Sequence, residues 1–99
     1  MVVPLTEFGK WTVDLLESRR GKMPEHFAAL LDGYMADGEV RLVAGDLVDA
    51  AVLSKAVPSP TVEEARQALI YNERGWFGPK SKDYFRHLLT PFTIKSTPV

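Results

Sequence analysis

The chain has no cysteine among its 99 residues, so neither a disulfide framework nor a thiolate metal site can hold it together, and side-chain packing must carry the fold. Long apolar runs are also missing: none approaches the ~20 residues that a membrane-crossing helix needs. The first residues, Met1-Val2-Val3-Pro4-Leu5-Thr6-Glu7, lack the positively charged segment and apolar stretch of a secretory leader. The expectation is a small soluble protein of a reducing, cytoplasmic setting, with no membrane partner.

Catalytic signatures are absent as well. There is no Gly-x-Ser-x-Gly elbow, no phosphate-cradling glycine loop with its lysine, and no His-Glu-x-x-His pair. Only two histidines occur, His26 beside Glu25 and His87 four residues after Asp83. Asp83 and His87 could share a helix face as an oriented acid–base pair, but a metal site needs three or four ligands and nothing nearby in sequence supplies the rest. The bland reading, an exposed pair that stabilises a helix, is favoured. The sequence therefore predicts no enzyme, no cofactor, no bound metal and no small-molecule substrate.

What the chain does have is apolar content, 45% of residues, enough at this length for one domain with a single core. Its net charge of −1 conceals a split. Residues 23–53 hold Glu25, Asp32, Asp37, Glu39, Asp46 and Asp49 against Arg41 alone, a local net of −5. Residues 65–99 hold Arg66, Arg74, Lys80, Lys82, Arg86 and Lys95 against Glu73 and Asp83, a local net of +4. Such a division marks two solvated faces most often, and otherwise a nucleic-acid surface or a head-to-tail contact between copies.

Helical signals run along most of the chain. Thr6 is a suitable N-cap for a helix carrying Phe8, Trp11, Leu15 and Leu16 to about Arg20, where Gly21 stops it and Arg19, Arg20 and Lys22 suit the negative end of its dipole. Pro24 suits the first position of a second helix with Phe27, Leu30, Leu31 and Tyr34 on one face and Asp37-Gly38 at its end. Gly33 in its interior implies either a close neighbouring backbone or a weak helix. For residues 39–57 the valines suggest a short strand, followed by a helix capped by Asp46; a hairpin is the alternative. Pro58-Ser59-Pro60 breaks the chain but is too short to separate two domains. Thr61-Val62-Glu63-Glu64 then reads as a capping box, opening a helix to about residue 74 with Val62, Ala65, Leu69 and Ile70 inward. A last short helix from Ser81 carries Tyr84, Phe85, Leu88 and Leu89 and ends before Pro91; residues 92–99 form an extended tail. The fold class implied is mainly α, a compact bundle of four to five short helices in one domain, with room for a small β element near residues 39–44.

The functional reading centres on Gly75-Trp76-Phe77-Gly78-Pro79. Two large aromatics flanked by glycines, with arginine and lysine beside them, are the residue types that dominate binding energy at protein interfaces. Trp76, Phe77, Arg74 and Lys80 are accordingly the candidate contact with another protein or with copies of the chain itself, unless both rings close the core. The first expectation is a non-enzymatic regulator or structural adaptor of a larger assembly; the length and plain composition would suit a small bacterial or phage protein. The second is a DNA- or RNA-binding regulator using Arg66, Arg74, Lys80, Lys82 and Arg86, although an isoelectric point near 6.1 is low for that role.

Overall fold

α1 (Glu7–Arg19) begins at its expected cap, where the Thr6 hydroxyl accepts the Gly9 N–H at 2.9 Å in the computed structural model, which describes residues 6–54 and 57–94. Phe8, Leu15 and Leu16 are buried on it, as is Thr12, whose hydroxyl donates to the Phe8 carbonyl at 2.8 Å and so meets its own polar requirement. A 3-10 turn, Arg20–Lys22, follows. From it Arg20 donates through both terminal nitrogens to the Asp32 carboxylate at 2.7 Å, with a further bond to Glu17 at 3.0 Å. The fork geometry fastens the end of α1 to α2 (Glu25–Ala36), a role for Arg20 beyond the dipole. The guanidinium holds the Asp32 carboxyl below its ordinary range, against a smaller opposing effect of burial.

Pro24, expected at the first helical position, stands instead at the cap of α2, one position before its first residue, Glu25. The buried stripe is Ala28, Leu31 and Met35. Of the expected face, Leu31 is enclosed, Phe27 and Tyr34 pack partly against the core, and Leu30 is 47% exposed. Spacing of 28, 31 and 35 turns the inward face away from position 30, and the flexible Met35 fills what a leucine was expected to fill. A methyl placed on Gly33 would meet nothing within 4 Å, so no backbone approaches it and the residue is simply a weak helix former.

The expected strand near residues 39–44 does not exist. α3 (Val40–Asp49) starts directly after Glu39, and Asp46, expected as an N-cap, lies well inside the helix. The reason is legible in the spacing: Val43, Ala44, Leu47, Val48 and Ala51 are all buried and recur at three- and four-residue intervals. A strand would also need a partner, and no strand occurs among the described residues. A π-helical turn, Ala50–Ser54, continues α3; Ala56 lies outside the described residues. With Leu15, Leu16, Met23, Leu31, Met35 and Val57, these elements build the core of the first of two units, Met1–Pro58 and Ser59–Val99. Each fully buried leucine contributes about 1.5–3 kcal/mol.

In the second unit α4 (Val62–Glu73) opens on the predicted capping box: Glu64 N–H donates to the Thr61 hydroxyl at 3.1 Å, and Thr61 N–H to the Glu64 carboxylate at 2.9 Å. Its buried residues are Ala65, Ala68, Tyr71 and Asn72, while Leu69 is half-buried and Ile70 is 46% exposed. The inward face is thus rotated by about a quarter turn from the one apolarity implied, because small alanines permit close helix contact. A 3-10 turn, Pro79–Ser81, leads into α5 (Lys82–Leu89), which buries Phe85 and Leu89 against α4. Residues 90–93 form a 3-10 turn in place of the start of an extended tail; residues 95–99 lie outside the described residues. The protein is mainly α, with five α-helices among the described residues, and none of these is long and apolar enough to cross a membrane.

Candidate functional site

The loop joining α4 to α5 is built turn upon turn. α4 ends at Glu73 with Arg74 as its cap, and Gly75, at φ 82°, takes the left-handed conformation that reverses the chain. Gly75 N–H donates to the Asn72 carbonyl and Trp76 N–H to the Tyr71 carbonyl, both at 3.0 Å. These are the two bonds of a Schellman motif, which satisfies carbonyls that a helix end leaves open. Gly78 N–H then donates to Gly75 at 3.0 Å and Ser81 N–H to Gly78 at 3.1 Å, with Gly78 at φ 108°.

Two further contacts hold the loop against the helices. Phe77 is 4% exposed, its ring centroid 4.8 Å from that of Phe85. Asn72, fully buried on α4, donates its amide to the Lys82 carbonyl at 2.9 Å; its own carbonyl oxygen has no hydrogen-bond partner among the described residues. Between these anchors Trp76 is 41% exposed. The Trp76-Phe77 pair is therefore divided: Phe77 belongs to the core of its unit, whereas Trp76 is presented to solvent. Two adjacent residues on an extended or turning segment point in different directions, which composition alone does not resolve.

The five candidate bases divide similarly. Arg86 is committed: its Nε and Nη2 donate to the two oxygens of Glu73 at 2.9 and 3.2 Å, and its Nη1 to Asp83 at 2.8 Å. The hydrogen bond to Glu73 is the main reason its guanidinium is held above its ordinary range. Arg66 is paired with Glu63 at 3.0 Å and reaches the Thr93 carbonyl at 3.5 Å. Lys82 is half-buried. Arg74 and Lys80, at either end of the loop that carries Trp76, are exposed and make no ion pair among the described residues.

The Asp83–His87 pair is not formed. His87 Nδ1 lies 2.8 Å from the backbone carbonyl of Asp83, to which it donates, and the Asp83 carboxylate turns to Arg86. Shallow depressions of about 460 and 380 Å³ flank His87, one lined by Asp83, Tyr84 and Leu88, the other by Arg86, Thr90 and Pro91. His26 is exposed on the first turn of α2. No group of three or more metal-ligating side chains occurs among the described residues.

The comparisons add no relative. No family model matches the chain, and no curated protein or solved structure matches it. Function must therefore be argued from the loop itself. What sequence reasoning missed is Asn72, whose signal as a structural clamp was only its position three residues before a glycine helix stop.

Proposed function

We propose that the chain is a non-enzymatic interaction module, a regulator or adaptor that docks on another protein through the α4–α5 loop. Trp76 is the anchor, Arg74 and Lys80 supply charge on either side, and Phe77 holds the loop from beneath. The observation that carries this reading is the exposure of Trp76 on a backbone fixed at both ends by Phe77 and by the Asn72–Lys82 bond. A large ring on a preordered loop loses little conformational freedom on binding, which is what makes tryptophan effective at interfaces.

Nucleic-acid binding is the second reading. It retains Arg74, Lys80 and Lys82 but is weakened where Arg66 and Arg86 already hold carboxylates.

The test compares two neighbouring substitutions in affinity capture from cells of the source, followed by titration of any captured protein. Trp76→Ala is expected to weaken binding by roughly thirtyfold, the loss of about 2 kcal/mol typical of an interface hot spot, while leaving the melting temperature nearly unchanged. Phe77→Ala is expected to destabilise the fold by about 3–5 kcal/mol, as for other buried phenylalanines. Capture that survives Trp76→Ala unchanged would remove the proposal.

A further inference from the structure

Two helices of this chain end in the same backbone device, and the two ends carry opposite charge. At the end of α2, Gly38 has φ 76°, Gly38 N–H donates to the Met35 carbonyl at 3.0 Å, and Glu39 N–H donates to the Tyr34 carbonyl at 2.9 Å. This is the same pair of bonds that closes α4, with Gly38 in the place of Gly75, Glu39 in that of Trp76 and Asp37 in that of Arg74. Both turns are therefore held by backbone bonds, and their side chains project from a fixed frame.

The α2–α3 turn puts Asp37 and Glu39 in solvent, neither with an ion pair among the described residues. One turn into α3, Leu42 is 43% exposed. The α4–α5 loop offers the complement: two exposed cations without ion pairs, Arg74 and Lys80, around an exposed ring. Some charges elsewhere are spent on internal pairs, as with Arg20 and Asp32 or Arg86 and Glu73, while Lys10, Asp14, Lys22, Glu25 and Arg41 are exposed, so what sets these two turns apart is like charges grouped on a fixed backbone beside an exposed apolar side chain.

Resting on the reading of the loop given above, we infer that its partner is a second copy of this chain, whose acidic α2–α3 turn receives it. Arg74 and Lys80 face Asp37 and Glu39 of the other copy, and the Trp76 ring covers Leu42. The two surfaces are different, so one contact leaves the acidic turn of one copy and the loop of the other open, and association runs head to tail into a ring or an open chain. Two cations on two anions with one aromatic anchor make a small interface that steers by charge, hence a weak and salt-sensitive one.

Sedimentation velocity of the full chain over rising concentration tests this. At low salt the weight-average mass is expected to climb above that of one chain, and to fall back at high salt, since the screening length drops from about 10 Å at 0.1 M to about 3 Å at 1 M. The double variants Arg74→Glu/Lys80→Glu and Asp37→Lys/Glu39→Lys are each expected to sediment as single chains. An equal mixture of the two is expected to regain the growth in mass, because a reversed loop then meets a reversed turn and a native loop a native turn. All four positions are exposed, and circular dichroism of each variant checks its fold. A wild-type chain that stays at the mass of one copy up to millimolar concentration overturns the inference, as does a mixture that fails to associate. A monomeric wild type whose capture of another protein still depends on Trp76 would sink the self-contact and leave the loop reading standing. Charge-swap rescue combined with indifference of every contact to Trp76→Ala would do the reverse.

Discussion

Asp46 shows how much one residue's meaning depends on its surroundings. As an N-cap its carboxylate would have been solvated and bonded to backbone N–H groups; inside α3 it is half-buried, and burial, followed by the nearby Asp49 charge, pushes its carboxyl above the ordinary value of 3.8. An acid whose folded pKa is raised binds protons more readily in the native state, so its ionisation opposes folding at neutral pH and the penalty fades as pH falls through the folded value. Asp46→Asn is accordingly expected to raise the melting temperature at neutral pH, with the gain disappearing below about pH 3.8, measured by thermal unfolding across pH. Asp32 has the opposite sign. Its folded pKa is lowered by Arg20, so its contribution is present above 3.8 and is lost as pH falls through the lower folded value; Arg20 and Asp32 are exposed enough that solvent screening keeps this effect small. Neither shift was legible in the sequence, because desolvation and a partner twelve residues away are properties of packing.

At the scale of elements, glycine separates what the sequence can and cannot announce. Gly33 and Gly75 both leave open space where a methyl would go, and they differ in backbone: Gly75 sits at φ 82°, Gly33 in ordinary helix. The same substitution should therefore have opposite signs. Gly33→Ala is expected to stabilise the protein by about 0.5–1 kcal/mol, through helix propensity and a less flexible unfolded chain. Gly75→Ala is expected to cost about 1–2 kcal/mol, because a side chain is forced into the left-handed region. Urea unfolding of both variants checks this. The capping box at Thr61 was readable outright, since it depends on residues three apart in one turn. The third helix was misread because two valines and a leucine were weighed as strand formers, although their spacing with Ala44, Leu47 and Val48 already described a helix; periodicity outranks propensity when five buried positions share one stripe.

For the whole molecule the question is which charges remain available. A local net of +4 over residues 65–99 overstates the cationic surface, since the guanidinium groups of Arg66 and Arg86 are paired with Glu63, Glu73 and Asp83 and Lys95 lies outside the described residues. With Arg74, Lys80 and Lys82 left to neutralise phosphates, binding to duplex DNA would show a log–log salt slope no steeper than about −2.7, from about −0.9 per phosphate. No binding is expected near physiological salt. Titration into labelled oligonucleotides at several salt concentrations checks this, and a markedly steeper slope would restore the nucleic-acid reading. By itself the sequence determined the helical class, the caps at Thr6 and Thr61, the stops at Gly38 and Gly75 and the break at Pro58-Ser59-Pro60, because each depends on residues within one turn of one another. Only the tertiary structure decided which face of α2 and α4 turns inward, that Phe77 is core while Trp76 meets solvent, and that Asn72 clamps the loop. Those outcomes depend on what packs against each helix from a distance in sequence, and neighbouring residues carry no record of it.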